Sequence, residues 1–280
     1  MLAGMGIEIG RFGIWRRQSE VTPELAREVE RLGFGALWVG GSPDADLAQI
    51  ENLLEATETI PVVTGIVNMW KSDAQAVAAS YHRVSERHPH RFLLGVGIGH
   101  PEATQEYRQP YETIVGYLDA LDEAGVPKAR VVLAALGPRV LEVSAIRTAG
   151  AHPYLTTPRH TRFARQVVGD GVMLAPEQTV ILTTDPATAR RRSRDFTTRY
   201  LRLVNYRNNL LREGWSEADL TGGGSDELVA ELVLTGSVDE VATGIRAHIE
   251  AGADHVTIQD IGPDPVSGLG PLAEALFAEP

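Results

Sequence analysis

The residues best equipped for chemistry in this chain lie in a few short stretches, and few of them are acids. "GVGIGHPE" (95–102) sets Gly95, Gly97 and Gly99 at alternate positions and follows them with Ile98 and His100. Glycines closing a strand leave backbone N–H groups open to an anion or a flat ring, and Pro101 can open a helical turn behind them. The other reading is that Gly95 and Gly97 only let a barrel pack. A dinucleotide fingerprint needs glycine at position 100, so this is not a Rossmann signature. Histidine is the side chain that ordinarily titrates near neutral pH, which makes His100 the candidate catalytic residue; alternatively it touches a cofactor without moving a proton. "IPVVTGIVNMWKSD" (60–73) is a buried-strand pattern interrupted by Gly65, which marks a bulge or the close approach of a backbone or ligand. It ends on Asn68, Met69 and Trp70.

Several chemistries are excluded or weak. A glycosidase needs two facing carboxylates, and only Asp185 and Asp260 stand at strand ends. There is no HExxH, no GxSxG and no Walker A sequence. His88 and His90 in "HPH" fall at a helix end before a strand, on the face opposite a barrel site, so no metal centre is expected. With no cysteine, disulfides, thiolate metal sites and thiol catalysis are absent.

The elements that must position these residues alternate. Strand-like runs occur at 6–15, 36–41, 62–68, 91–99, 130–136, 151–157, 178–185 and 255–261, separated by helical patterns. Helix signals are local: Thr22 then Pro23 open one helix and Gly33 stops it. Ser72 and Gln75 have the spacing of a capping box. A long Arg-rich pattern covers 186–213. Eight strand–helix units in 280 residues predict a single (β/α)8 barrel domain over 1–280, with an insertion between strands 7 and 8; a doubly wound open sheet is the alternative. In a barrel the site lies at the C-terminal strand ends, which here hold Gly13–Trp15, Gly40–Ser42, Gly65–Trp70, Gly97–His100, Leu136–Gly137, Tyr154–Thr157, Thr183–Asp185 and Gln259–Asp260.

Composition bounds the partners. The net charge is −11, which disfavours nucleic acid or an anionic membrane surface. The Arg-rich stretch reads as a solvated helix face, or as a basic wall near an anionic ligand. No run reaches the roughly 20 apolar residues of a membrane helix, and "MLAGMGIEIG" lacks the pattern of a signal peptide, so a cytoplasmic protein acting on a small molecule is expected.

Taken together, "LGFGALWVGG", "IPVVTGIVNMW", "RFLLGVGIGHP", "LGPRVLEVSAIRTAGAHPYLTTPRHT", "ILTTD" and "GSVDEVATGIRAHIEAGADHVTIQDIG" resemble the luciferase-like superfamily of flavin- and coenzyme F420-dependent oxidoreductases, and look closest to its F420-dependent members. The resemblance implies a (β/α)8 barrel with coenzyme F420, or alternatively FMN, across the strand ends. It implies a cis Gly65–Ile66 bond behind the ring and Asn68 at the ring's polar edge. It further implies Gly97, Ile98, Gly99 and His100 along the cofactor, and Tyr154, Leu155, Thr156 and Thr157 at its phosphate. Trp15, Ser42 and Trp70 would line the substrate side, and the chain would pair as a homodimer. One departure stands out: where some relatives end strand 2 with an acid and His, this sequence has Gly41 and Ser42, so their proton donor is not carried over. Beside an oxidoreductase transferring hydride or an FMN-dependent monooxygenase, a non-catalytic cofactor-binding barrel is therefore the alternative.

Overall fold

The computed structural model describes residues 7–100 and 109–278; the turn expected at Pro101 lies outside them. Eleven strands form among the described residues. They are β1 (Phe12–Arg17), β2 (Leu37–Gly40), β3 (Val62–Gly65), β4 (Val67–Asn68), β5 (Phe92–Gly97), β6 (Val131–Leu133), β7 (Gly150–Ala151), β8 (Met173–Leu174), β9 (Glu177–Leu182), β10 (Val233–Gly236) and β11 (Val256–Asp260). Pairings between them are parallel. The apolar runs are buried on both faces, as a parallel sheet covered by helices requires.

Strand order is β10-β9-β11-β1-β2-β3-β5-β6-β7-β8, with β4 on β5. From β11 to β8 the order never reverses, so the sheet has no switch point of the doubly wound kind. Its two ends approach each other through one stretch of chain. Only Ala175 and Pro176 separate β8 from β9; the Ala175 N–H bonds Ala151 O at 2.9 Å, and Pro176 O accepts from Thr257 N–H at 2.9 Å. The sheet is therefore curled, with strand alternation dividing its residues into two sets. Trp15, Trp38, Val63, Leu93 and Val132 pack together inside the curl. Ile14, Leu37, Val39, Val62 and Leu94 face the helical layer. Trp38 stacks on His152 at 4.4 Å and donates from Nε1 to His255 Nε2 at 3.1 Å, filling the interior below the strand ends.

The helices are α1 (Pro23–Arg31), α2 (Ala48–Glu55), α3 (Ala74–Arg87), α4 (Pro110–Glu123), α5 (Pro138–Arg147), α6 (Pro158–Val168), α7 (Pro186–Tyr200), α8 (Val204–Arg212), α9 (Asp226–Leu232), α10 (Val238–Glu250) and α11 (Leu269–Phe277). Thr22 caps α1, accepting from Leu25 N–H, with Pro23 in the first turn. Three local expectations change. Asp73, not Ser72, caps α3 by accepting from Ala76 N–H. The strand expected over 151–157 stops at Ala151, because Pro153 has no N–H and Leu155 takes a positive φ of 55°. The Arg-rich pattern breaks at Leu201–Leu203 into α7 and α8.

Candidate active site

A cavity of about 530 Å³ opens at the C-terminal strand ends. Trp15, Ser42, Gly65, Ile66, Asn68, Ile98, Gly99, His100 and Tyr154 line it. Gly97, Trp70, Leu155, Thr156 and Thr157 do not.

One wall comes from β3, β4 and β5. The Gly65–Ile66 bond is cis. What approaches Gly65 is an indole: a Cβ there would lie 2.8 Å from Trp15 Nε1. Gly40 serves the same ring, its Cβ position falling 1.8 Å from Trp15 Cζ2. Gly95 is a packing glycine, since a Cβ would sit 1.8 Å from Thr64 O. Thr64 Oγ1 completes that join, donating to Gly95 O at 2.8 Å and accepting from Gly95 N–H at 2.7 Å. Gly97 leaves room for the side chains of Ile66 and Ala134, so its role is also packing. Gly99 alone of the three reaches the cavity, with φ +65° and Asn68 Nδ2 2.5 Å from its Cβ position. Asn68 Oδ1 accepts from Trp70 N–H at 2.9 Å, so the amide turns its Nδ2 donor toward Gly99.

The facing wall is aromatic. Tyr154, Tyr200 and Tyr206 line the cavity, and the His100 ring lies 4.9 Å from that of Tyr206. Tyr154 donates to Gln259 Oε1 at 2.7 Å, so its 3.0 Å contact with Tyr200 is accepted from the Tyr200 hydroxyl. Burial raises the Tyr154 and Tyr206 hydroxyls well above the ordinary phenol value. Behind this wall Glu177 is fully buried. It accepts from Leu155 N–H at 3.2 Å and Thr179 Oγ1 at 2.6 Å, holding Leu155 in its left-handed conformation. Desolvation pushes Glu177 up to about 7. Thr157 caps α6, accepting from His160 N–H, and donates to Glu213, which burial also pushes up to about 7. The Tyr154–Thr157 turn is thus tied down from behind, and only Tyr154 faces the cavity.

Charge distinguishes the rim. Among the described residues Arg17, Lys71, Arg139 and Arg212 line the cavity and no Asp or Glu does, although the chain has 37 acids against 26 Lys and Arg. Gly137, on the lining, is the N-cap of α5, and Arg212 lies 3.4 Å from its Cβ position. A helix N-terminus flanked by Arg139 and Arg212 suits a phosphate. His152 also lines the cavity; its Nδ1 meets Ala175 O at 2.7 Å, and burial lowers it to about 4, so it stays neutral.

Sequence reasoning missed Arg17, Lys71, His152, Tyr200, Tyr206 and Arg139. Arg17 was within reach, since β1 runs two residues past Trp15. Arg139 stands two residues after the strand-end Gly137, and Arg212 closes the Arg-rich stretch whose second reading is a basic wall.

Comparison with known proteins agrees with this geometry. Residues 17–255 match the luciferase-like monooxygenase family, so the chain belongs to that family. Its fold is similar to that of an F420-dependent secondary alcohol dehydrogenase in complex with an F420–acetone adduct. That match has TM-score 0.74 at 15% identity and covers 95% of this chain and 98% of the other. It is also similar to the coenzyme F420-dependent tetrahydromethanopterin reductase from Methanopyrus kandleri (TM-score 0.70, 15% identity, coverage 96% and 98%). A third similar fold is a type II Baeyer–Villiger monooxygenase component from Pseudomonas putida in complex with FMN (TM-score 0.67, 13% identity, coverage 95% and 96%). A sequence comparison with curated proteins gives no match. Among the described residues no helix is long and apolar enough to cross a membrane, and no cluster of three or more His, Cys, Asp or Glu could hold a metal ion.

Proposed function

We propose that this protein is a coenzyme F420-dependent oxidoreductase acting on a small organic substrate. One observation carries the reading: one cavity joins the Gly65–Ile66 wall, the Asn68 donor and a rim that, among the described residues, holds four cations and no carboxylate. Those residues fit a flat ring with an anionic tail. Ile66 and Ile98 offer apolar contact to the ring. Asn68 Nδ2 donates to its polar edge, and Gly99 leaves that donor room. Gly137, Arg139 and Arg212 hold the phosphate, in place of the Tyr154–Thr157 turn the resemblance implies. When bound, the deazaflavin supplies a hydride donor or acceptor. The chain orients the substrate on the opposite face, between Trp15, Ser42 and the tyrosines. His100 is the cavity imidazole proposed to move the accompanying proton. The likeness to F420-dependent folds supports this reading.

A second reading is an FMN-dependent monooxygenase, favoured by the family's description and by the FMN-bound neighbour. The same residues would hold the flavin phosphate. We also propose that residues 1–280 form one (β/α)8 barrel, with α7 to α9 in an insertion between β9 and β11, working in the cytoplasm as a homodimer. Titration with F420 and with FMN, followed by cofactor fluorescence, tests the function. Binding of F420 supports the first reading. Preference for FMN together with substrate-dependent oxygen consumption replaces it with the second. If neither cofactor binds, both readings fail.

A further inference from the structure

We infer that the Arg17 side of the cavity takes the anionic group of the substrate, and that this substrate is a carboxylate on a flat aromatic body. The inference rests on the reading that a cofactor occupies the Gly65–Ile66 and Gly137 side.

The four rim cations fall into separate places. Arg139 and Arg212 flank Gly137, just beyond β6. Arg17 closes β1, and β1 and β6 stand four places apart in the order β1-β2-β3-β5-β6. Lys71 stands between them on the rim after β4, its N–H bonded to Asn68 O at 3.0 Å. One phosphate cannot use both arginine sets. The set at Gly137 has two guanidinium groups and a helix N-terminus, which match a dianion. Arg17 is a single guanidinium, which matches a carboxylate.

Arg17 and its neighbour Arg16 show the difference between a structural and an available arginine. Arg16 is buried, with Nη1 donating to Asp260 O at 2.5 Å and Nη2 to Pro265 O at 2.6 Å. Arg17 is exposed at the cavity and makes no ion pair with a carboxylate among the described residues. Its hydrogen bond to Tyr200 Oη is long, 3.5 Å, and leaves most of its fork of donors open. Its guanidinium is therefore open to an anion that enters the cavity.

The body of the ligand follows from the walls beside Arg17. The rings of Trp15 and Tyr154 lie 5.5 Å apart, Tyr154 and Tyr200 5.5 Å, and Tyr200 and Tyr206 5.6 Å. The hydroxyls of Tyr154 and Tyr200 are engaged with each other and with Gln259. These tyrosines therefore offer ring faces and edges more than free polar groups, which suits an aromatic body. Ser42, held at φ 61° on a turn whose carbonyls accept from Gln18 Nε2, completes this end of the lining.

Benzoate and its neutral isostere benzamide separate charge from shape. The protein is first titrated with F420 or FMN, then the loaded protein is titrated with each probe by calorimetry, for wild type, Arg17→Ala and Arg17→Gln. Benzoate should bind at least about tenfold tighter than benzamide, as a charge-assisted contact requires. Both substitutions should remove that preference and leave benzamide and cofactor affinity unchanged. Equal binding of the two probes, no binding of benzoate, or a preference that survives in both variants overturns the inference while the cofactor reading stands. Failure to bind either cofactor in the first titration overturns the reading and the inference with it.

Discussion

The two walls of the cavity are built from different materials. The wall of β3, β4 and β5 is backbone and small residues: Gly65, Ile66, Asn68, Ile98 and Gly99, held by strand pairing and by the Thr64–Gly95 bonds. The facing wall is Tyr154, Tyr200 and Tyr206, brought in by an irregular turn and by helices that lie outside the regular strand–helix alternation. In the first wall Gly65 and Asn68 belong to strands, and Ile66, Ile98 and Gly99 adjoin strand ends. The second is held by a turn whose Leu155 N–H and Thr157 hydroxyl donate to the buried Glu177 and the half-buried Glu213. Such a division lets a family keep one surface for a shared cofactor and vary the other with the substrate.

Four outcomes would break or sharpen that contrast. The largest is expected on the sheet wall. Gly95→Ala places a methyl 1.8 Å from Thr64 O, so backbone must move; a loss of about 3 kcal/mol is expected in urea unfolding. A variant as stable as wild type would show that this wall yields. Next, the double variant Arg139→Ala, Arg212→Ala should weaken cofactor about a hundredfold in a fluorescence titration. Unchanged affinity would move the phosphate elsewhere.

The third outcome concerns the anchors of the tyrosine wall. Glu213 has its folded pKa raised to about 7 by burial, against an ordinary value of 4.5. Wild type therefore loses stability as pH rises from about 4.5 through about 7, because the native state must give up a proton it holds more tightly. Glu213→Gln keeps an acceptor for Thr157 without that titration. Its stability relative to wild type should rise across this window, by no more than about 1.4 kcal/mol per pH unit, and level off above it. A flat difference between pH 4.5 and 7 would mean that Glu213 is solvated. The smallest effect is expected from Tyr200→Phe, which removes one hydroxyl between Arg17 and Tyr154. It should cost about 1 kcal/mol of stability and leave cofactor affinity intact. A large loss of cofactor binding would mean that the second wall also serves the cofactor.

The contrast also explains what could be read from sequence. The strand–helix alternation, the Gly65–Asn68 segment and Gly99–His100 are legible because strand period and the strand-end rule are local, whereas β1 runs two residues past the end expected at Trp15. Gly95, Gly97 and Gly65 are legible as special, but not for what they accommodate: Thr64 O, the Ile66 side chain and the Trp15 indole come from elsewhere in the chain. Tyr154–Thr157 reads as a strand by composition. The strand ends before Pro153, which has no N–H, and Glu177, from another strand, accepts Leu155 N–H where the chain takes a positive φ. The break at Leu201–Leu203 carries no Gly or Pro; Leu201 is 2% exposed, packed with Phe196, Tyr206 and Leu210. Tertiary burial overrides the helical pattern there and turns Tyr200 and Tyr206 to the cavity. Residues placed by long-range packing of this kind leave no local mark.

The most direct test of the account is a crystal structure with F420 or FMN bound. The account predicts the ring against Ile66 with its polar edge at Asn68, the phosphate at Gly137 between Arg139 and Arg212, and Arg17 free on the other side of the cavity. A phosphate on Arg17, or a ring stacked on the tyrosine wall and away from Ile66, would contradict it.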